Sequence, residues 1–247
     1  MTTRESAITP RLDPVPAGIG VVAPHDLALD RELWRWMPDH VSLYVTRTPP
    51  LDVAVSTELA QALRDERALA RACWEVAEAD PGVTVYLCTT ASFVAGLAGE
   101  ARLRAVMEGA GARRALTTSG ALLDALSALG ARRVAIATPY DAELTARLAA
   151  FLAEAGHEVV GTARLGLRGD IWRVSSASVR ELAEALPLED ADAIVISCTN
   201  LPTYDVLPGL EQRFRVPVVS ANLATMWAAL RALGALPGDR PERLFAC

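Results

Sequence analysis

Val85-Tyr86-Leu87-Cys88-Thr89-Thr90 and Ile194-Val195-Ile196-Ser197-Cys198-Thr199-Asn200 follow one pattern, 110 residues apart: a short apolar run, a cysteine, then threonine. A second pair repeats at an offset of 115 residues. It sets Val21-Val22-Ala23-Pro24-His25-Asp26 against Ala135-Ile136-Ala137-Thr138-Pro139-Tyr140-Asp141. Short apolar runs that end in polar turns are the pattern of buried parallel strands. The chain therefore divides into two related halves. Each half ends one strand in Cys-Thr and another in Pro, a ring residue and Asp. A pseudo-twofold fold would place the two thiols on opposite sides of one cleft. Two facing acid/base or nucleophilic groups suit a reaction at one carbon or one double bond.

Outward from these turns, apolar runs alternate with Ala- and Leu-rich segments of helical period. Strands are expected at 19–23, 41–47, 83–88 and 114–118, then at 133–137, 158–164, 192–197 and 217–220. Helices are expected near 27–37, 57–79, 93–109 and 120–129, then 141–155, 176–186, 204–214 and 222–234. Gly130, Gly156 and Gly234 stand where helices should stop. The expected fold is α/β: two pseudo-symmetric doubly wound lobes, each with a four-stranded, mainly parallel sheet. The lobes are set at 18–125 and 126–235, between a polar N-terminal tail, 1–17, and a C-terminal tail, 236–247. Ligands of such sheets bind beyond the carboxyl ends of the strands, where both Cys-Thr turns lie, so the active site is expected in the cleft between the lobes.

Composition narrows the chemistry. The 247 residues are 51% hydrophobic, enough for a sizeable core. The net charge of −6 and the lack of a basic stripe argue against nucleic acid as a partner. No apolar stretch reaches membrane-spanning length, and the first 18 residues have no apolar secretory core, so a cytoplasmic protein is expected. The chain has no lysine, which removes Schiff-base chemistry and a P-loop. Its histidines, His25, His40 and His157, have no metal-ligand spacing, and Gly18-Ile19-Gly20 precedes a strand rather than following it. No metal and no cofactor is expected.

Each candidate residue has a structural alternative. Cys88 and Cys198 are thiols at strand ends, where turn N–H groups lower a thiol's pKa, or they are buried core cysteines. Equivalent placement in both halves favours catalysis. The N–H groups and hydroxyls of Thr89, Thr90, Thr199 and Asn200 can bind a carboxylate, or they are ordinary turn groups. Tyr140 could hydrogen-bond a substrate oxygen or roof the sheet, and His25 is its counterpart in the first half. Asp26 and Asp141 read first as helix N-caps. If Asp26 faces the cleft instead, it opposes a carboxylate or holds an ammonium group. Asn222, Ser92 and Ser119 lie near the same rim. Cys73 reads as core and Cys247 as a tail thiol.

With these motifs in view, the chain resembles the aspartate/glutamate racemase superfamily, in its maleate cis-trans isomerase and arylmalonate decarboxylase branch. The likeness runs over about residues 18–235, carried by Cys88-Thr89-Thr90, Ala137-Thr138-Pro139-Tyr140, Ser197-Cys198-Thr199-Asn200 and Val216-Pro217-Val218-Val219-Ser220. It implies a cofactor- and metal-independent enzyme, a homodimer, acting on a small carboxylate. Decarboxylases of the branch have a small residue in place of the first cysteine, so the presence of Cys88 implies the isomerase or racemase arrangement. In the isomerase arrangement Cys88 is the nucleophile, Cys198 the acid/base, and Tyr140 with the turn N–H groups holds the carboxylate. The isomerases carry Ser-Ser-Asn after the first-strand proline, whereas here Pro24 is followed by His25-Asp26-Leu27. An amino-acid or hydantoin racemase, an arylmalonate-type decarboxylase and a silent binding protein are the alternatives.

Overall fold

The computed structural model describes residues 17–247. Its strands are β1 (Ala17–Ala23), β2 (Val41–Arg47), β3 (Val83–Tyr86), β4 (Ala115–Thr117), β5 (Arg133–Thr138), β6 (Glu158–Arg164), β7 (Ala193–Ile196) and β8 (Val218–Ser220). Its helices are α1 (Asp30–Trp34), α2 (Thr57–Ala62), α3 (Glu66–Ala77), α4 (Thr89–Phe93), α5 (Gly96–Gly109), α6 (Thr118–Ala128), α7 (Ala142–Glu154), α8 (Ser176–Glu184), α9 (Leu207–Phe214) and α10 (Ala221–Leu233). The strands form two four-stranded sheets, ordered β2-β1-β3-β4 and β6-β5-β7-β8. Every pairing is parallel. The fold is thus α/β with two lobes of matching topology, and β1 to β4 correspond to β5 to β8. Helices cover both faces, so the central strands are buried throughout: β3 and β7 expose no residue.

Local chemistry explains where the elements differ from the periodic pattern. The segment 57–79 contains a second start signal: Asp65 Oδ1 accepts from the Ala68 N–H at 2.8 Å, so α2 ends and α3 begins there. Gly96, at φ +68°, is the first residue of α5 and breaks it from α4. Helix α1 is shorter than expected and starts at Asp30, with no side-chain cap. Asp26 is therefore not an N-cap, whereas Asp141 does cap α7 by accepting from Leu144 N at 2.9 Å. Gly130, Gly156 and Gly234 all have positive φ just past helix ends. Residue 125, set as the lobe boundary, lies inside α6. Of the expected N-terminal tail, residues 1–16 lie outside the described residues, and Ala17 already belongs to β1. The C-terminal segment docks onto the body: Leu244 and Phe245 are buried, and Arg243 N donates to Glu211 Oε2 at 3.1 Å. No helix among the described residues is long and apolar enough to cross a membrane.

The lobes join through equivalent helices and through α1. Helices α6 and α10, which each follow the last strand of their sheet, pack together, with Thr225 Oγ1 donating to Thr118 Oγ1 at 3.2 Å. Helix α1 of the first lobe sits on the loop after Cys198 in the second. The buried Glu32 carboxylate accepts from Thr203 N at 3.0 Å, Thr203 Oγ1 at 2.8 Å and Asn222 Nδ2 at 3.1 Å. Nearby, Trp36 packs on Tyr204 with ring centroids 4.9 Å apart, and Arg35 pairs with Asp205 at 2.6 Å on the surface.

These two cross-lobe contacts should differ sharply in worth. Glu32→Ala strands three buried donors and should cost about 2–3 kcal/mol in urea unfolding. Asp205→Ala removes a solvent-screened pair and should cost about 0.5 kcal/mol. Equal losses would mean that the buried Glu32 node does not hold the lobes together.

Candidate active site

Strands β3 and β7 are the inner strands of their sheets, and Cys88 and Cys198 stand just past their carboxyl ends. Both thiols line one cavity of about 40 Å³. Its polar wall is Asp26, Thr89, Thr90, Tyr140, Thr199 and Asn200. Pro24, Val55, Leu59, Leu63 and Ile171 form its apolar wall. The volume is roughly an order of magnitude below pockets for drug-sized ligands, which suits a small acid. Loops after β2 and β6 meet over it, where Val55 N donates to Arg168 O at 2.9 Å.

Each cysteine turn is held by the helix start that follows the outer strand of its own sheet. In the first lobe, Ser119 Oγ donates to Thr89 O at 3.1 Å, and Ser92 Oγ reaches Cys88 O at 2.7 Å. In the second, Asn222 Nδ2 donates to Thr199 O at 3.0 Å. Ser119 and Asn222 occupy equivalent positions, each two residues after the N-cap of its helix. The turns differ in one respect. Cys88 has an extended backbone and precedes the one-turn helix α4, while Cys198 sits at φ +96° with no helix directly after it. Pro202, four residues beyond Cys198, lacks the N–H that a first helical turn would need there. The left-handed backbone at Cys198 costs on the order of 1–3 kcal/mol, strain of a kind that clusters at functional sites.

The thiols are dry. Burial pushes Cys88 up to about 11, against the Ala91 N–H and the Thr90 hydroxyl, whose oxygen lies 3.7 Å from its sulfur. Burial pushes Cys198 up to about 12, against the Asn200 N–H at 3.4 Å and the Tyr140 phenol. Asp26 adds to both shifts with its negative charge. The turn geometry alone predicts lowered pKa values, and the structure corrects this: loss of water outweighs the few N–H donors. Tyr140 is also buried and held well above the usual phenol range, first by burial and then by the Cys198 sulfur. It is a neutral hydrogen-bond donor at pH 7.

Cys88, Cys198, Thr89, Thr90, Thr199, Asn200, Tyr140 and Asp26 line this cavity, whereas Ser92, Ser119 and Asn222, expected near its rim, are not on its wall. Nor is His25. Its carbonyl is gripped by Arg47 Nη1 at 3.3 Å, and its buried Nδ1 has no partner among the described residues. In the second lobe the equivalent turn is pinned differently, with Gly166 N donating to Tyr140 O at 3.1 Å, and the Tyr140 ring reaches the cavity. The Asn200 side chain is already committed: Oδ1 accepts from Ala28 N at 2.9 Å and Nδ2 donates to Asp26 O at 2.9 Å. By contrast, the Thr89 Oγ1 is buried and has no partner among the described residues. Glu32, Leu59, Leu63 and Ile171 gave no site signal in the sequence; apolar walls and a distant buried carboxylate look like any core. Among the described residues, no group of three or more His, Cys, Asp or Glu is placed to hold a metal.

The raised thiols make stability depend on pH. Below pH 9 they are protonated in both folded and unfolded chains. Between 9 and about 11 the unfolded chain releases protons that folded Cys88 and Cys198 retain, so folding stability falls as pH rises. The expected slope is about 1.4 kcal/mol per pH unit for each thiol. Urea unfolding across this window should show Cys88→Ala and Cys198→Ala each flattening the fall. Unchanged slopes would mean that the thiols are not desolvated.

A family model described as arylmalonate decarboxylase matches residues 64–241. The arylmalonate decarboxylase of Bordetella bronchiseptica is 42% identical over 165 residues, 64% of this chain and 68% of its own. The maleate isomerase of Nocardia farcinica is 34% identical over 179 residues, 68% of this chain and 71% of its own. Two solved structures superpose closely. A glycine-to-cysteine, cysteine-to-serine mutant of arylmalonate decarboxylase in the liganded form has a TM-score of 0.84 at 32% identity, covering 93% of this chain and 98% of that one. A cysteine-to-serine mutant of the Nocardia farcinica maleate cis-trans isomerase, with a covalently bound succinylcysteine intermediate, has a TM-score of 0.85 at 27% identity and the same coverages. With its two lobes and paired strand-end turns, the chain belongs to the arylmalonate decarboxylase family, within the maleate isomerase and arylmalonate decarboxylase branch of the aspartate/glutamate racemase superfamily.

Proposed function

We propose that this protein is a cofactor-independent, two-cysteine isomerase of a small unsaturated carboxylate, of the maleate isomerase type. The observation that carries the reading is the presence of both thiols on the wall of one small cavity. In this scheme the Cys88 proton is lost to solvent through the mouth of the cavity. The Cys88 thiolate then adds to an alkene carbon, and the electron pair moves to the neighbouring carbon beside the carboxylate. The Cys198 thiol protonates that carbon, giving a saturated thioether whose central bond can rotate. In reverse, the Cys198 thiolate removes the proton, the C–S bond breaks, and Cys88 leaves as thiolate. The neutral Tyr140 phenol, the Thr89 hydroxyl and the turn N–H groups of Thr89, Thr90 and Thr199 hold the carboxylate as charge builds on it. The succinylcysteine seen in the Nocardia farcinica relative supports such an adduct.

The second reading is a decarboxylase, favoured by the 42% identity to the Bordetella enzyme. There Cys198 alone would protonate an enediolate and Cys88 would be dispensable.

Proton NMR in D₂O separates the two, with maleate, other small unsaturated acids, arylmalonates, aspartate, glutamate and a hydantoin as substrates. Isomerisation of a cis alkene that both Cys88→Ala and Cys198→Ala abolish is the expected result. Loss of CO₂ that survives Cys88→Ala would establish the decarboxylase, and deuterium exchange at a saturated Cα without alkene turnover would establish a racemase. Tyr140→Phe should lower kcat by about a hundredfold while leaving the fold intact, as removal of one oxyanion donor does. A Tyr140→Phe enzyme with full kcat would remove the phenol from the mechanism.

A further inference from the structure

Among the described residues, Asp26 is the only charged side chain on the wall of the Cys88–Cys198 cavity. It is exposed, so it stands at the mouth, while Thr89 lies buried within. No ion pair among the described residues includes Asp26. The nearby Arg47 spends its Nη1 on the carbonyls of His25 at 3.3 Å and Leu27 at 2.7 Å. The Asn200 amide lies 3.5 Å from an Asp26 carboxylate oxygen, but its main bonds go to backbone groups. The Arg47 guanidinium keeps its charge but makes no ion pair with Asp26, so among the described residues the carboxylate at the mouth is unpaired.

The cavity is polarised. Its buried part offers the Tyr140 phenol and the Thr89 hydroxyl, which has no partner among the described residues. Its mouth offers a carboxylate. A dicarboxylate would set its second anionic end against Asp26, and a like-charge contact of that kind is costly. A cationic nitrogen at that end would meet the charge it needs.

We propose that Asp26 selects the substrate class: a small carboxylate that also carries an ammonium or amidinium group, rather than a dicarboxylate. The carboxylate enters the donor end beside Cys88, and the nitrogen faces Asp26. This inference rests on the reading of the cavity as a carboxylate site.

The test uses three ligands of similar size: propionate, succinate and β-alanine. Their affinities would be measured by NMR titration at pH 7.5 and low salt, on wild type and Asp26→Asn. The expected result is β-alanine binding at least about tenfold tighter than succinate to wild type, with the order reversed in Asp26→Asn. Equal or tighter binding of succinate to wild type would overturn the inference and leave the carboxylate site standing, as would a ratio unchanged in Asp26→Asn. Failure of all three ligands to bind would overturn the carboxylate reading and this inference with it. The wild-type comparison decides the question even if the variant is poorly folded.

Discussion

Asn222 Nδ2 donates both to the Thr199 carbonyl in the second cysteine turn and to the Glu32 carboxylate on α1. The rest of the site depends on this buried node. It fixes the turn that presents Cys198, and it ties that turn to the opposite lobe. Glu32 then holds Thr203, which anchors the remainder of the loop. A buried carboxylate is tolerable only when its oxygens are occupied, and here three donors occupy them. The arrangement of both thiols around one cavity follows from how the lobes are forced to meet.

The same constraint sets the chemistry. Closing two apolar sheets over polar turns excludes water, and exclusion of water holds both thiols protonated. A neutral thiol is a proton donor, and a thiolate formed in such a place is a strong base and nucleophile. The positive φ at Cys198 belongs to the same picture, since packing around the turn must over-determine a backbone that a cysteine rarely adopts.

The pseudo-symmetry is not complete, and its breaks bear on function. Tyr140 reaches the cavity where His25 does not. Asp141 caps a helix where Asp26 lines the site. A helix follows Cys88, whereas only a turn follows Cys198. Two copies of one half thus present unlike groups to the cavity, which an asymmetric substrate or two thiols with different roles requires.

Strand positions and the placement of Cys88 and Cys198 were legible because parallel strands buried on both faces read as apolar runs, and their ends are marked by the residues that break those runs. The repeat at Cys-Thr and at Pro-ring-Asp added which ends would face each other. The breaks in 57–79 and 93–109 came from the Asp65 cap and Gly96, local signals outweighed by a long helical period. Other features had no local signal. That Asn200 would spend its amide on the Ala28 and Asp26 backbone, that Glu32 would be a buried cross-lobe node, and that Leu59, Leu63 and Ile171 would wall the site all depend on contacts between residues distant in the chain. The sequence by itself determined the two-lobe α/β fold and the pairing of the thiols, through periodicity and repetition. The tertiary structure alone decided the thiols' protonation and the polarity of the cavity, because desolvation and long-range charge arise only when the lobes close.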